Sequence, residues 1–184
     1  MVRRCLAIAV LLLGLAPAAA PASGPAGDPP VNAEGLFTQP WFQAATGDLQ
    51  ADLAAARAAG RTLAVLWEQK GCGYCRQMHT VNFRIAPDVA YIREHFHVVQ
   101  MNLWGEDKVR DMDGSQVTQA DLARRYNVTG TPMALFFKDD GTVAFLLPGY
   151  APPPVFRAVF EYVQTRGYET ATLREWFRQR GPGG

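Results

Sequence analysis

Cys72-Gly73-Tyr74-Cys75 is the stretch of this chain whose residue types and spacing could do chemistry. Two cysteines separated by two residues can close a small disulfide, provided the backbone brings their Cβ atoms within bonding reach. Residues 61–67 before them are apolar and strand-like, and residues 76–81 after them read as a helix. A helix N-terminus carries partial positive charge and unpaired N–H groups, so it favours a thiolate at Cys72. A thiol whose pKa is lowered in this way is a nucleophile toward disulfides. Lys70 and Arg76 flank the pair and push in the same direction. Glu68 lies four residues before Cys72 and shares a strand face with Leu66 by the period of two. It could accept the proton of Cys75, or it could be solvated at the strand end. His79, one helical turn past Cys75, reads as a surface or capping residue rather than a catalyst.

Two other uses of the pair compete with a redox-active dithiol. A zinc site needs about four ligands, and beyond these cysteines the chain offers only His79, His95 and His97 once Cys5 is removed. A structural staple gains little here, because loop-closure stabilisation grows with loop length. The redox-active dithiol is therefore the reading carried forward, with no metal and no cofactor.

The elements that must position these residues follow from periodicity and punctuation. Asp48 caps a helix over 49–59 that Gly60 stops. The strand at 61–67 leads into the dithiol helix. Pro87 and Asp88 suit the first turn of a further helix, with Val89, Ile92 and Phe96 at helical spacing. In 97–103, Val99, Met101 and Leu103 alternate with Gln100 and Asn102, a strand pattern. Residues 104–117 read as a polar loop whose Asp111-Met112-Asp113-Gly114 is a turn with too few carboxylates for calcium. Thr118 opens a helix that buries Leu122 and Tyr126. Residues 133–137 and 142–147 form a hairpin across Asp139-Asp140-Gly141. Pro148-Gly149-Tyr150 ends it. A helix after 152–154 places Phe156, Val159, Phe160 and Val163 on one face. A last helix begins at Thr172, with Glu175 completing a capping box, and buries Leu173, Trp176 and Phe177. Strands joined through helices imply parallel pairs, and the hairpin adds an antiparallel edge.

Apolar residues make up 48 % of the 184, enough for one domain with a real core. Arg3 and Arg4, an apolar stretch over 6–15 and small residues over 16–22 have the pattern of a secretory signal. That stretch is about half of the roughly 20 residues a membrane span needs, so no stable membrane insertion is expected. Removing Arg3 and Arg4 from 18 basic residues leaves 16 against 17 acidic, a formal net charge of −1. This is no nucleic-acid footprint. Export would place the dithiol where disulfides persist. The division expected is a signal at 1–22, a flexible Pro- and Gly-rich tether at 23–38, one domain at 39–168, and a C-terminal helix with a short tail at 169–184.

A Cys-x-x-Cys that opens a helix after a strand, followed about 55 residues later by Gly130-Thr131-Pro132 before a hairpin, resembles the thioredoxin-like family. The resemblance implies an α/β fold: a central mixed sheet flanked by helices, here with an extra C-terminal helix. It implies a cis Thr131–Pro132 bond against the dithiol, Gly149 in a nearby turn, and a client-binding surface made by Gly71, Gly73, Tyr74, Thr131, Pro132 and Gly149. The catalytic residues would be Cys72 and Cys75, joined by Glu68 on its proton-acceptor reading. Gln69 to Cys75, Phe136 to Gly141 and Pro148-Gly149-Tyr150 resemble exported thioredoxins associated with bacterial sulfur-oxidation clusters. That likeness implies a monomeric periplasmic reductase, disulfide-bearing client proteins and a membrane electron donor.

Departures from cytoplasmic thioredoxins are Gly73-Tyr74 in place of Gly-Pro, Gly71 in place of Trp, and Leu66 in place of the buried Asp. Periplasmic isomerases also use Cys-Gly-Tyr-Cys, but they resemble dimers with a separate N-terminal domain, and residues 22–46 are too few for one. A non-catalytic binding module on the same scaffold is the third reading.

Overall fold

Seven residues, β1 (Thr62–Glu68), form the axis of the molecule, and all but Thr62 are buried. A strand covered on both faces reads as a near-continuous apolar run. The computed structural model describes residues 27–180; the signal expected at 1–22 lies outside them. Among the described residues no helix is long and apolar enough to cross a membrane.

The sheet order is β2-β1-β5-β6, with β2 Phe96–Asn102, β5 Met133–Phe137 and β6 Val143–Pro148. β1 runs parallel to β2, from Thr62 opposite Phe96 to Glu68 opposite Asn102. It runs antiparallel to β5, so strands separated by helices are not all parallel here. The expected hairpin joins β5 to β6 and bulges at Phe136/Phe137.

Alternation along β1 divides the core. Leu63, Val65 and Trp67 pack with α1 (Leu49–Ala58) and α4 (Gln119–Arg125). Ala64 and Leu66 pack with α2 (Gly73–Thr80), α3 (Ala86–His95) and α5 (Pro153–Gln164). The result is three layers, helices on both faces of a mixed sheet. Phe156, Val159, Phe160 and Val163 are the buried stripe of α5, as their spacing implied. Asp48 accepts from the N–H groups of Gln50 and Ala51, and Thr118 from that of Asp121.

Three expectations are corrected. Residues 104–117 are not simply a loop: β3 (Lys108–Arg110) and β4 (Gln116–Thr118) pair antiparallel around the acidic turn. Three-residue strands are too short to display a period. The turn is held by the buried Asp111 carboxylate, which accepts from Tyr126 Oη at 2.6 Å and Arg125 Nη1 at 3.0 Å. The last helix, α6 (Leu173–Arg180), keeps its Thr172/Glu175 capping box, but none of its residues is fully buried. Leu173 and Trp176 are half-buried and Phe177 is 38 % exposed.

The third correction concerns the described part of the expected tether, from residue 27 onward. It is a packed strap. Leu36 is buried, Val31 bridges to Phe37, and Gln43 N–H donates to Val98 O at 2.8 Å along the free edge of β2. Asn32 accepts the N–H groups of Glu34 and Leu36, making a local turn that Gly35 closes at φ +77°. Side-chain-to-backbone bonds of this kind give a Pro- and Gly-rich segment an ordered alternative to coil. Asp28 pairs with Arg76 and Gly27 O accepts from Arg84, tying the strap to α2 and the turn after it.

Candidate active site

β1 delivers the chain to the edge of the sheet at Glu68, and a short turn then reverses it into α2. Gly71 makes that reversal at φ +74°, where a side chain would strain the backbone. Cys72 is the N-cap of α2, with extended backbone angles. Its Sγ accepts the N–H of Cys75 at 3.0 Å, and its carbonyl accepts that of Arg76 at 3.0 Å. The sulfur therefore occupies the place a Ser or Asp oxygen takes in an ordinary cap, where the helix N–H groups stabilise negative charge. Cys72 and Cys75 are disulfide-bonded with Cα atoms 5.2 Å apart. Cys72 retains 7 % exposure and Cys75 none.

Thr131–Pro132 is cis, as the resemblance implied. The Thr131 hydroxyl donates to Cys72 Sγ at 3.3 Å, so the loop before β5 faces the first cysteine. Tyr74 projects from the dithiol loop at 64 % exposure, and its ring stacks on Tyr150 with centroids 6.1 Å apart. This stack sets the turn containing Gly149, at φ +72°, beside the loop. Gly71, Gly73 and Gly149 have nothing within 4 Å of where a Cβ would sit. Their backbones are open to an approaching chain. Trp104 is 67 % exposed and donates from Nε1 to Gln69 Oε1 at 2.8 Å, adding another ring beside the loop. A cavity of about 370 Å³, lined among others by Arg57, Thr62, Phe137 and Lys138, lies at the opposite end of β1 and does not touch the dithiol.

Glu68 resolves one of the alternatives left by the sequence: it is fully buried, so the solvated reading fails. His79 corrects another, because it too has no exposure. Cys75, Met78 and His79 are the buried residues of α2 and fall at i, i+3 and i+4, one helix face. That face meets the side of β1 carrying Leu66 and Glu68. His79 Nε2 lies 2.8 Å from Glu68 Oε1, and Gln39 Nε2 of the strap lies 3.0 Å from His79 Nδ1. Phe37, Phe42 and Phe83 surround the imidazole. Glu68 Oε2 is buried with no hydrogen-bond partner.

The flanking cations act differently from the expectation. Arg76 pairs with Asp28 on the strap, where both side chains are more than half exposed, and the Lys70 stem lies over Gly35. Gln39, Trp104 and Tyr150 escaped the sequence reading. The apolar Trp41-Phe42 beside Gln39 was the signal that this segment packs.

Among the described residues, no group of three or more His, Cys, Asp or Glu converges as a metal site would require. A capping thiol with a shielded partner and a facing cis-proline loop can attack and resolve disulfides. Known structures share this scaffold. A thioredoxin-fold protein from Helicobacter pylori is 24 % identical with a TM-score of 0.55, covering 65 % of this chain and 81 % of its own. A thioredoxin from Thermus thermophilus is 26 % identical with a TM-score of 0.52, covering 68 % and 89 %. Comparison with curated protein sequences returns no match. The model of the thioredoxin-like domain matches residues 49–164, from the first turn of α1 to the end of α5 and across every element that holds the cysteine pair, so the chain belongs to the thioredoxin-like domain family.

Proposed function

We propose that the protein is an exported thiol–disulfide oxidoreductase that works mainly as a reductase of client proteins. The observation that carries this reading is the position of Cys72, a helix-capping sulfur that keeps 7 % exposure while its partner Cys75 behind it has none. Cys72 attacks a client disulfide to give a mixed disulfide, and Cys75 attacks Cys72 to release the reduced client. The exposed rings of Tyr74 and Trp104 and the half-buried ring of Tyr150 lie beside the dithiol loop, and the open glycine backbones accept an extended peptide. Such a surface suits a protein client, of the kind a sulfur carrier or an apocytochrome with an oxidised cysteine pair would present. A membrane-bound donor would return the electrons.

The reductive direction rests on charge. Strong oxidants stabilise the thiolate of the reduced form. Here Tyr74 adds no charge, Arg76 is paired with Asp28, and the buried Glu68 opposes a second anion nearby. Equilibration against glutathione is expected to give a potential of about −180 to −230 mV or lower, with reduction of insulin disulfides when a dithiol donor is supplied. A value near about −120 mV, or efficient oxidation of an unfolded client without insulin reduction, would reject the reductase reading.

Export is carried by the basic, apolar and small-residue pattern of residues 1–22. The mature N-terminus is expected between Ala18 and Ser23. N-terminal sequencing of protein from export-competent cells checks this, and an unprocessed product starting at Met1 counts against it.

A further inference from the structure

We infer that Gln39 and His79 form a relay that holds Glu68 as an uncompensated carboxylate with one oxygen free to take the proton of Cys75. The inference rests on the dithiol function proposed above and adds two positioning residues to it. The Gln39 side-chain nitrogen, 3.0 Å from His79 Nδ1, carries two hydrogens and has no lone pair to offer, so Nδ1 must accept. The imidazole proton is then on Nε2, which donates to Glu68 Oε1 at 2.8 Å. An imidazole with one bare nitrogen is neutral, so no imidazolium charge offsets a carboxylate at Glu68.

Among the described residues, no Lys or Arg pairs with Glu68. Glu68 and His79 have no exposure, and the other rings against the imidazole are Phe37, Phe42 and Phe83. Among the described residues, Glu68 is the one carboxylate within 4.0 Å of His79. On α2 the remaining ionisable group of this face is Cys75, one turn before His79; on β1 it is Glu68 itself, and the strap contributes the uncharged Gln39. Glu68 Oε2 has no partner although it is buried. An unsatisfied buried carboxylate oxygen costs stability and calls for an explanation. Its function is that of an acceptor held ready.

The step balances. In the mixed disulfide, the Cys75 thiol passes its proton to Glu68 Oε2, and its electron pair forms the bond to Cys72 Sγ. The bond between Cys72 Sγ and the client sulfur breaks, and the client thiolate leaves to be protonated by water. The client disulfide has gained two electrons, and the Cys72–Cys75 pair has lost two. The proton on Glu68 returns to solvent as the dithiol is next reduced. If the imidazole were doubly protonated it would neutralise Glu68 and weaken the acceptor. Gln39 prevents this by presenting a donor where a second proton would sit.

Nitrogen-detected NMR of the wild-type protein should show His79 as the Nε2–H tautomer at neutral pH. Finding Nδ1–H or a doubly protonated ring overturns the inference without any variant. Single-turnover collapse of a preformed mixed disulfide, followed against pH, supplies the second readout. Glu68→Gln should slow collapse by about 10²-fold, the lower end of general-base effects. Gln39→Leu should slow it several-fold to about tenfold at neutral pH, the scale of one lost hydrogen bond. It should also move the acid limb of the profile to higher pH, because the ring now takes a second proton more readily. Gln39→Glu should move the limb further still, since a carboxylate there invites that proton. If Glu68→Gln collapses at the wild-type rate, Glu68 is no acceptor and the relay falls, while insulin reduction continues to test the dithiol function separately. If Glu68→Gln is slow but both Gln39 variants keep the wild-type limb, the relay alone is overturned.

Discussion

Cys72→Ser should abolish disulfide reduction, with a loss on the order of 10³-fold or more, equivalent to about 4 kcal/mol of barrier. Cys75→Ser should instead accumulate mixed disulfides with clients. The asymmetry comes from α2. Cys72 caps the helix, its Sγ takes an N–H of the first turn, and it alone of the pair reaches solvent. Cys75 sits inside the turn with no exposure, so it reaches a sulfur only after Cys72 has brought one in. A serine at position 72 keeps the cap, because a hydroxyl accepts the same N–H. The fold should therefore survive while the nucleophile is lost. Limiting alkylation of the reduced wild-type protein should label Cys72 first, and mass spectrometry of client adducts reads the trapping. Adducts that accumulate with Cys72→Ser rather than Cys75→Ser would reverse the two roles.

Much of this site was legible because its elements are punctuated by residues with one physical use. Cys-x-x-Cys after an apolar strand, a proline after Gly130-Thr131, and Asp-Asp-Gly in a hairpin each constrain the backbone locally, and the structure places all three as read. Burial was harder. The sequence pattern puts His79 at the surface and leaves Glu68 open between a solvated position and a role beside Cys75. They meet across the β1–α2 contact through the His79 Nε2–Glu68 Oε1 hydrogen bond, a pairing of residues from different elements that periodicity cannot display. His79 shares the face of Cys75 and Met78, and that helical spacing was the signal for its burial. The strap was lost for a different reason. Pro and Gly usually mark mobile chain, and here the ordering comes from bonds to Gln100, Val98 and His79, far along the sequence. The antiparallel β1–β5 pairing was lost because a helical connection is compatible with either direction once it crosses to the next strand but one.

Phe160→Ala should cost about 3–5 kcal/mol of folding stability, a large share of the roughly 5–15 kcal/mol typical of a domain. Phe160 lies on α5 with no exposure, and its ring meets Phe96 at 4.9 Å, Phe136 at 5.2 Å and Phe156 at 4.9 Å. It thus joins the helix to β2 and β5 at once, on the sheet face that also carries Leu66, Met78 and the dithiol helix. Truncation removes its burial and leaves a void between rigid rings, which cannot collapse without moving a strand. Phe177→Ala is the contrast. The sequence pattern placed Phe177 among the buried residues of α6, but the ring is 38 % exposed and packs beside Trp176 at the surface. Its loss should stay within about 0.5 kcal/mol, as for other surface positions. Urea unfolding of the oxidised proteins separates the two: the midpoint should fall steeply for Phe160→Ala at an unchanged slope, and barely for Phe177→Ala. A loss below about 1 kcal/mol at Phe160, or a larger one at Phe177, would mean that α6 rather than α5 closes this face of the core.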